Sequence, residues 1–550
     1  MVRNSQIKKE STIGREFGEN VAWTEQVSIF AGDIWRNNAV AFKLAALGGI
    51  LLFSFWMGMN PHLDYRYPLH VDEWFGIGYA QSTLEAGSLE YADPYGGGAV
   101  SFHAEMGFHL ILAFLRSVTN LSWMGLYWLA PGFLLTLMTF LTYAFGRRLG
   151  FGWSAALLIP LIPTSVRTLG PAFVVPLSVA MLFLPVTLLI LFGLREEKWS
   201  VNFILLTVLF LGTMFVHPPS EAIIASTSVL FLGSFVTGGL IEKRYKQSGR
   251  ILLSLIFRVL GPLLILSLWL PDLSKEVLSE SFSNEPGLLA VMGANSGFFQ
   301  AFGLFGIGVA LMGLALVLLR QSFGLQSYVI PMLVGLLLLF LGAFPKFGIG
   351  PDVLYERSWS YLGFFFVILI GYFVASYFSG IVTIAKTVEG KLGQRFQRLG
   401  LSVARGAGIC LVAGILITGL LKNEERSDYQ TYYQVVNDVI VSDFNWIGQH
   451  TASGQRITMG ESSIAWAYPP IGGPGTFVKD ANSAPWSSPF SDVMRSMVAG
   501  NEIDVQWLRN NDVSIVYSCR PIIFGCHKLT SDELFYVHRG IYIVPPAKEF

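Results

Sequence analysis

Residues 40–74 read VAFKLAALGGILLFSFWMGMNPHLDYRYPLHVDEW. The opening run, Val40 to Met59, is almost wholly apolar. It has the length, about 20 residues, that a helix needs to cross a hydrocarbon core. Two adjacent carboxylates, Asp72 and Glu73, follow between His70 and Trp74, just past the mouth of that helix. An acidic pair at this position stands where water-exposed chemistry can meet a lipid-borne substrate. Acids are also favoured in a first helical turn, where backbone N–H groups point at them. On these residues alone, a reactive pair and a plain helix start both remain open.

Composition widens this local reading to the whole chain. Of 550 residues, 53% are hydrophobic and 13% charged, where a soluble domain carries about 25% charged residues. Mean hydropathy is +0.53. The chain reads as a polytopic membrane protein. Its formal net charge of zero offers no electrostatic footprint for nucleic acid. The first 38 residues are polar and mixed in charge, without the short basic-plus-apolar form of a cleavable signal peptide.

Further apolar runs lie near 105–118, 123–146, 152–169, 171–194, 201–217, 219–241, 251–271, 298–319, 326–344, 359–384 and 400–421. The segment 105–118 is short for a span and carries Glu105, His109 and Arg116. Positive charge decides its place, because cytoplasmic loops are enriched in Lys and Arg. With 105–118 along the membrane surface, the inner loops hold fourteen Lys and Arg and the outer ones six. If it crosses, the bias reverses. The expectation is about eleven spans over 40–421. Residues 1–39 are then cytoplasmic, and the first outer loop is 60–122. The outer face further gathers the loops 272–297 and 345–358 and the turns at Gly170-Pro171 and His217-Pro218-Pro219.

From 422 to 550 no spanning run remains. Amphipathic helix patterns at 434–447 and 503–510, with strand-like 513–517 and 540–544, predict a small extracytoplasmic α/β domain. Cys519 and Cys526 flank Arg-Pro-Ile-Ile-Phe-Gly, a spacing that suits a disulfide closing a strand-end loop in an oxidising compartment. Zinc is less suited, since His527 has no second ligand pair at the right spacing. Trp466 and Tyr468, in an aromatic Pro-Gly-rich stretch, either offer a stacking surface for sugar rings or fill the domain's own core.

The outer face carries the chemistry. Its carboxylates are Asp72, Glu73, Asp93, Glu105, Asp352 and Glu356, able to take a proton from a hydroxyl. Its cations are Arg167, Lys346 and Arg357, and a guanidinium fork suits a phosphate. Basic residues at helix ends also snorkel to headgroups. The histidines His70, His103, His109 and His217 are candidates for substrate contact. Glu221, four residues after His217, shares its helix face. Gly-rich phosphate loops, CxxC pairs, HExxH and nucleophile elbows are absent.

The chain resembles the GT-C superfamily of integral-membrane glycosyltransferases. The likeness rests on His-Val-Asp-Glu-Trp (70–74), Ala80 to Gly87, Asp93-Pro94-Tyr95, Gly107 to Ala113 as an interfacial helix, Gly146-Arg147-Arg148-Leu149-Gly150 closing a span, and Tyr355-Glu356-Arg357 before another. It implies that Asp72, with Glu73 beside it, is the base or acceptor-orienting group. It implies further that Arg357, supported by Lys346 and Arg167, binds the lipid phosphate of the donor. His70, His103, Glu105, His109, His217, Glu221 and Tyr355 would line the substrate site. The partners implied are a polyprenyl-phosphate-linked sugar, a glycan, lipid or protein acceptor, and membrane lipids. The cofactor stays open: a divalent cation, Mg or Mn, would fall to Asp72 and Glu73, and no clear DxD stands in a second outer loop. The tail has no WWD triplet, which argues against a single-subunit oligosaccharyltransferase. The alternatives are a ligase moving a preassembled lipid-linked glycan, and a non-catalytic lipid or glycan transporter. Transporters place ionisable groups at midspan within repeats, whereas here Arg258 is the main midspan charge.

Overall fold

The structure is a computed structural model. It describes residues 40–95, 99–100, 105–162, 170–193, 199–241, 288–320, 328–347, 352–388, 394–424, 433–451, 455–459, 462–472, 477–478, 503–520, 525–526 and 534–545. The expected span 251–271, most of the loop 272–297, His103 and Arg167 fall outside them. The chain divides into two units, Met1–Phe53 and Ser54–Phe550.

Among the described residues, seven helical stretches are long and apolar enough to cross a membrane. They are α1 (Val40–His62) and α4 (Trp123–Leu149), with Pro218–Thr237 of α9 (Pro218–Ile241) and Phe302–Arg320 of α10 (Leu288–Arg320). The remaining three are α11 (Val329–Phe347), Leu354–Ile381 of α12 (Asp352–Val388) and Gly400–Ile417 of α13 (Gln394–Glu424). The protein is an integral membrane protein.

The runs expected to span at 152–169, 171–194 and 201–217 are carried by shorter apolar helices. These are α5 (Gly152–Leu158), α6 (Pro176–Ala180), α7 (Phe183–Leu191) and α8 (Trp199–Val216). Proline explains two of the breaks: Pro160 sits in the 3-10 turn that ends α5, and Pro176 starts α6 afresh. A ring without an N–H ends regular helix hydrogen bonding. Within α10, Gly303 adopts φ 58° and ψ 176°, so the helix is kinked there. Only glycine takes that conformation without steric cost.

Two helices lie between α1 and α4. α2 (Val71–Ala86) starts at the His70 cap and ends at Gly87, which is left-handed at φ 61°. α3 (Met106–Thr119) buries Phe108, His109, Leu112 and Ala113 and leaves Leu110, Phe114 and Val118 exposed at every fourth position. At 1.5 Å per residue its 14 residues cover about 21 Å, too short for a core of about 30 Å. Between α2 and α3, β1 (Tyr91–Ala92) pairs antiparallel with β2 (Ala99–Val100).

The tail forms a mixed five-stranded sheet. β3 (Arg456–Met459) lies parallel to both β4 (Phe477–Val478) and β5 (Ile515–Tyr517). A hairpin, β8 (Phe535–His538) and β9 (Ile541–Ile543), adds antiparallel through β9 to β5. Beside it, β6 (Cys519–Arg520) and β7 (Gly525–Cys526) pair with Cys519 opposite Cys526. Cys519 is disulfide-bonded and Cys410 is free. α14 (Asp438–His450) begins at Asn437, whose side chain accepts from the Ile440 amide at 2.9 Å. The short helices α15 (Ser462–Ala465), α16 (Tyr468–Gly472) and α17 (Val505–Asn510) complete the tail.

The sheet and the segment between α1 and α4 share one core. Trp74, Ile77, Phe108 and Tyr127 are buried in the same cluster as Val436, Phe444, Ile457, Tyr468 and Tyr517. A smaller cluster under β9, with Leu508, Val516 and Tyr542, belongs to the tail alone.

Candidate active site

The first turn of α2 sends its two acids to different places. A helix advances by roughly 100° per residue, so consecutive side chains diverge. Asp72 keeps a third of its side chain exposed. Glu73 is fully buried. Its Oε2 accepts the amides of Leu69 at 2.6 Å and His70 at 3.0 Å, and its Oε1 accepts that of Val174 at 2.7 Å. Burial pushes the Glu73 carboxyl up to about 7, against the downward pull of those three donors. Enclosed in this way, Glu73 is shut off from solvent, and Asp72 is the acid of the pair that solvent reaches.

His70 caps α2 through Nδ1, which accepts the Asp72 amide at 3.1 Å. That acceptor role requires Nδ1 to be unprotonated. Burial holds His70 below its ordinary range, with Asp72 raising it and Arg357 lowering it. The Asp72 carboxylate lies 3.5 Å from His70 Nδ1 through Oδ1 and 3.9 Å from Arg357 Nη2 through Oδ2. Arg357 Nη1 is 3.8 Å from Glu356 Oε2. Thus α12 delivers its guanidinium to the N-terminus of α2.

A second pair stands beside it. His217 Nε2 is 3.8 Å from Glu105 Oε1, and His217 Nδ1 meets Ser220 Oγ at 2.5 Å. The Arg357 charge opposes protonation of both His70 and His217. Glu105 holds φ 69° at the start of α3. A non-glycine residue in that region stores strain of a kind that clusters at functional sites.

Other sequence candidates fall elsewhere. His109 is buried against Tyr79, with ring centroids 5.2 Å apart, and belongs to an aromatic group with Phe75, Tyr95 and Trp466. Tyr355 is buried and stacked on Phe344 at 4.6 Å. Lys346 is exposed, with Nζ 5.3 Å from the Phe347 ring. Glu221 is buried in α9 near Thr213 and Tyr361. Trp466 and Tyr468 are core residues rather than a stacking surface. Sequence reasoning missed Ser220, the Val174 amide and the Tyr433-Gln434 segment. A serine three residues into α9 was a faint signal for the first. A backbone amide or an extended dipeptide carries none.

A cation shared by Asp72 and Glu73 does not fit, because both Glu73 oxygens are engaged by backbone amides. Among the described residues no three His, Cys, Asp or Glu side chains converge as a metal site. What the arrangement offers is a part-exposed carboxylate beside a largely buried guanidinium. One group can accept a proton while the other receives negative charge.

No protein-family model matches the chain, and no curated protein matches it. Solved structures do. An oligosaccharyltransferase from Archaeoglobus fulgidus in the apo form aligns with TM-score 0.53 at 12% identity, over 86% of this chain and 69% of that one. AglB from the same organism, in complex with an inhibitory peptide and a dolichol-phosphate, gives 0.52 at 11% over the same shares. ArnT from Cupriavidus metallidurans, bound to undecaprenyl phosphate, gives 0.52 at 13%, over 87% of this chain and 96% of that one. At 11–13% identity these likenesses are of fold: the chain shares the fold of AglB and of ArnT.

Proposed function

We propose that the protein transfers a sugar from a polyprenyl-phosphate-linked donor to a hydroxyl of a glycan, lipid or protein, with inversion at the anomeric carbon. The observation that carries this reading is the approach of Asp72 and Arg357 to 3.9 Å from distant parts of the chain. Asp72 takes the acceptor proton as the hydroxyl oxygen bonds to the anomeric carbon. The bond from that carbon to the phosphate oxygen breaks, and Arg357 receives the charge that develops on the departing lipid phosphate.

Support for a lipid-linked donor comes from the solved structures, since the AglB complex holds a dolichol-phosphate and the ArnT structure undecaprenyl phosphate. Single-sugar transfer and transfer of a preassembled glycan both use such a donor, and they differ in what the lipid carries. Mass spectrometry of the lipid-linked sugars that accumulate when the protein is removed separates the two. A monophosphate-linked monosaccharide supports the first reading and a diphosphate-linked oligosaccharide the second. Asp72→Asn should fold normally and slow transfer by about 10²–10⁴-fold, the usual worth of a general base. Transfer at the wild-type rate would remove Asp72 from the role.

The reaction face is assigned to the outside, with residues 1–39 cytoplasmic, from the positive-inside bias of the loops. Impermeant thiol labelling of Tyr245→Cys and His450→Cys should find the two on opposite sides, with 245 cytoplasmic. Labelling of both from one side would overturn the span count, and labelling of 245 from outside alone would reverse the assignment.

A further inference from the structure

Glu73 is a buried acid that the transfer step does not use, yet it ties together two segments that are separate in sequence, and a third joins them. The turn entering α2 donates two amides to it, from Leu69 and His70, and the loop after Gly170 donates a third, from Val174. Each of those segments is tied onward. Leu69 accepts the Gln434 amide at 2.7 Å, and His70 forms an antiparallel bridge to Tyr433. The Phe173 ring stands edge-on to His70 at 5.9 Å and to Tyr433 at 6.4 Å. Asp72 sits inside this knot, with its own amide on His70.

We infer that Glu73 is a positioning residue for the transfer reaction: its carboxylate locks the α2 cap, the 170–175 loop and the start of the tail into one frame that aims Asp72 at the acceptor. The inference rests on the function proposed above and adds a division of labour within the acidic pair. Two oxygens accepting three amides need a carboxylate. A glutamine keeps one acceptor oxygen and turns an NH2 donor toward a backbone donor. An alanine leaves three buried amides unpaired, a larger loss. Arg357 lies on a different helix, so the donor-phosphate contact does not depend on this lock. A lost lock should lower turnover and leave donor affinity in place. Misplacing a reacting group by about 1 Å is worth roughly 100-fold in rate.

The test compares wild type, Glu73→Gln and Glu73→Ala in detergent, measuring kcat, the donor KM, binding of undecaprenyl phosphate, and amide exchange by mass spectrometry. The expected result is a kcat loss graded from Gln to Ala and near 100-fold, with donor KM and undecaprenyl-phosphate affinity within about twofold of wild type. Exchange should quicken in 69–73, 170–175 and 433–436 alone. If Ala fails to fold, Gln carries the comparison, since it retains one acceptor oxygen. Undiminished kcat in Glu73→Gln beside an active wild type overturns the inference alone. Loss of kcat and phosphate binding in equal proportion overturns it too, as that is general unfolding. A wild type that transfers no sugar from any polyprenyl-phosphate donor overturns the function and the inference together.

Discussion

At the scale of single residues, His70 caps α2 only while Nδ1 is free of a proton. Burial depresses its pKa from the ordinary 6.5, so the unfolded chain binds a proton that the folded one refuses. The stability this gives is present above pH 6.5 and is lost as pH falls through the lowered value. The charges facing it are Asp72, which favours protonation, and Arg357, which opposes it. Glu73, whose carboxyl is raised to about 7, acts in the opposite sense, its buried charge costing stability as pH rises from 4.5. A comparison of wild type with His70→Asn cancels the Glu73 contribution. Asparagine is a good cap without a titrating ring. The advantage of wild type in thermal unfolding at pH 8 should therefore shrink or reverse by pH 5. Arg357 yields a second prediction. Removing one charge-assisted contact to phosphate is worth about 1.5–3 kcal/mol. Arg357→Gln should accordingly weaken undecaprenyl-phosphate binding by about 10- to 100-fold, as read in a binding isotherm.

At the scale of elements, what places Arg357 is the seating of α12 against its neighbours. A Cβ built on Gly313 of α10 would stand 2.2 Å from the Leu369 carbonyl oxygen of α12, and one on Gly371 would stand 2.9 Å from the Ala155 backbone of α5. Helices in a membrane associate through small residues that let backbones approach. No rotamer can relieve a clash with backbone, so Gly313→Ala must push α10 and α12 apart. Overpacking of this kind costs about 1–3 kcal/mol. The variant should melt earlier in detergent and transfer more slowly, because α12 carries the guanidinium. Gly335→Ala in α11 is the control: a Cβ there meets nothing within 4 Å. It should match or exceed wild-type stability, since alanine is the better helix former.

At the scale of the whole molecule, the tail and the segment between α1 and α4 are bound by polar ties as well as by their common core. Tyr65 donates to the Val436 carbonyl at 2.5 Å, and Arg66 and Tyr67 both reach Asp438 at 2.6 Å. Tyr95 donates to the Trp466 carbonyl at 3.2 Å. Phe444, fully buried between Tyr468 and Tyr517, belongs to the cluster that holds Trp74 and Ile77. Phe444→Ala should cost about 3–5 kcal/mol. The loss should appear in both places at once: limited proteolysis should cut the 63–70 turn and the tail together, in one transition. Cleavage confined to the tail would show that the two fold independently. By the same reasoning, replacing Trp466 and Tyr468 with alanine should diminish donor and acceptor use equally, as damage to a core does.

Hydropathy, charge and period are properties of short windows. From them the sequence alone determined the membrane class, the short helix near 105–118, the tail helices near 434–447 and 503–510, and the strands around 515 and 541. The prolines that divide the runs at 152–169 and 171–194 were also visible, but apolar composition outweighed them. Only the tertiary structure decided which of two adjacent carboxylates stays exposed. Asp72 and Glu73 differ by one helical step, and one of the groups that engages Glu73 is the Val174 amide, a backbone group without a side-chain signature. The meeting of Arg357 with Asp72, and of Phe444 with the core of Trp74, likewise joins residues hundreds of positions apart. Such contacts are set by how helices and sheet pack, and a local pattern holds no record of them.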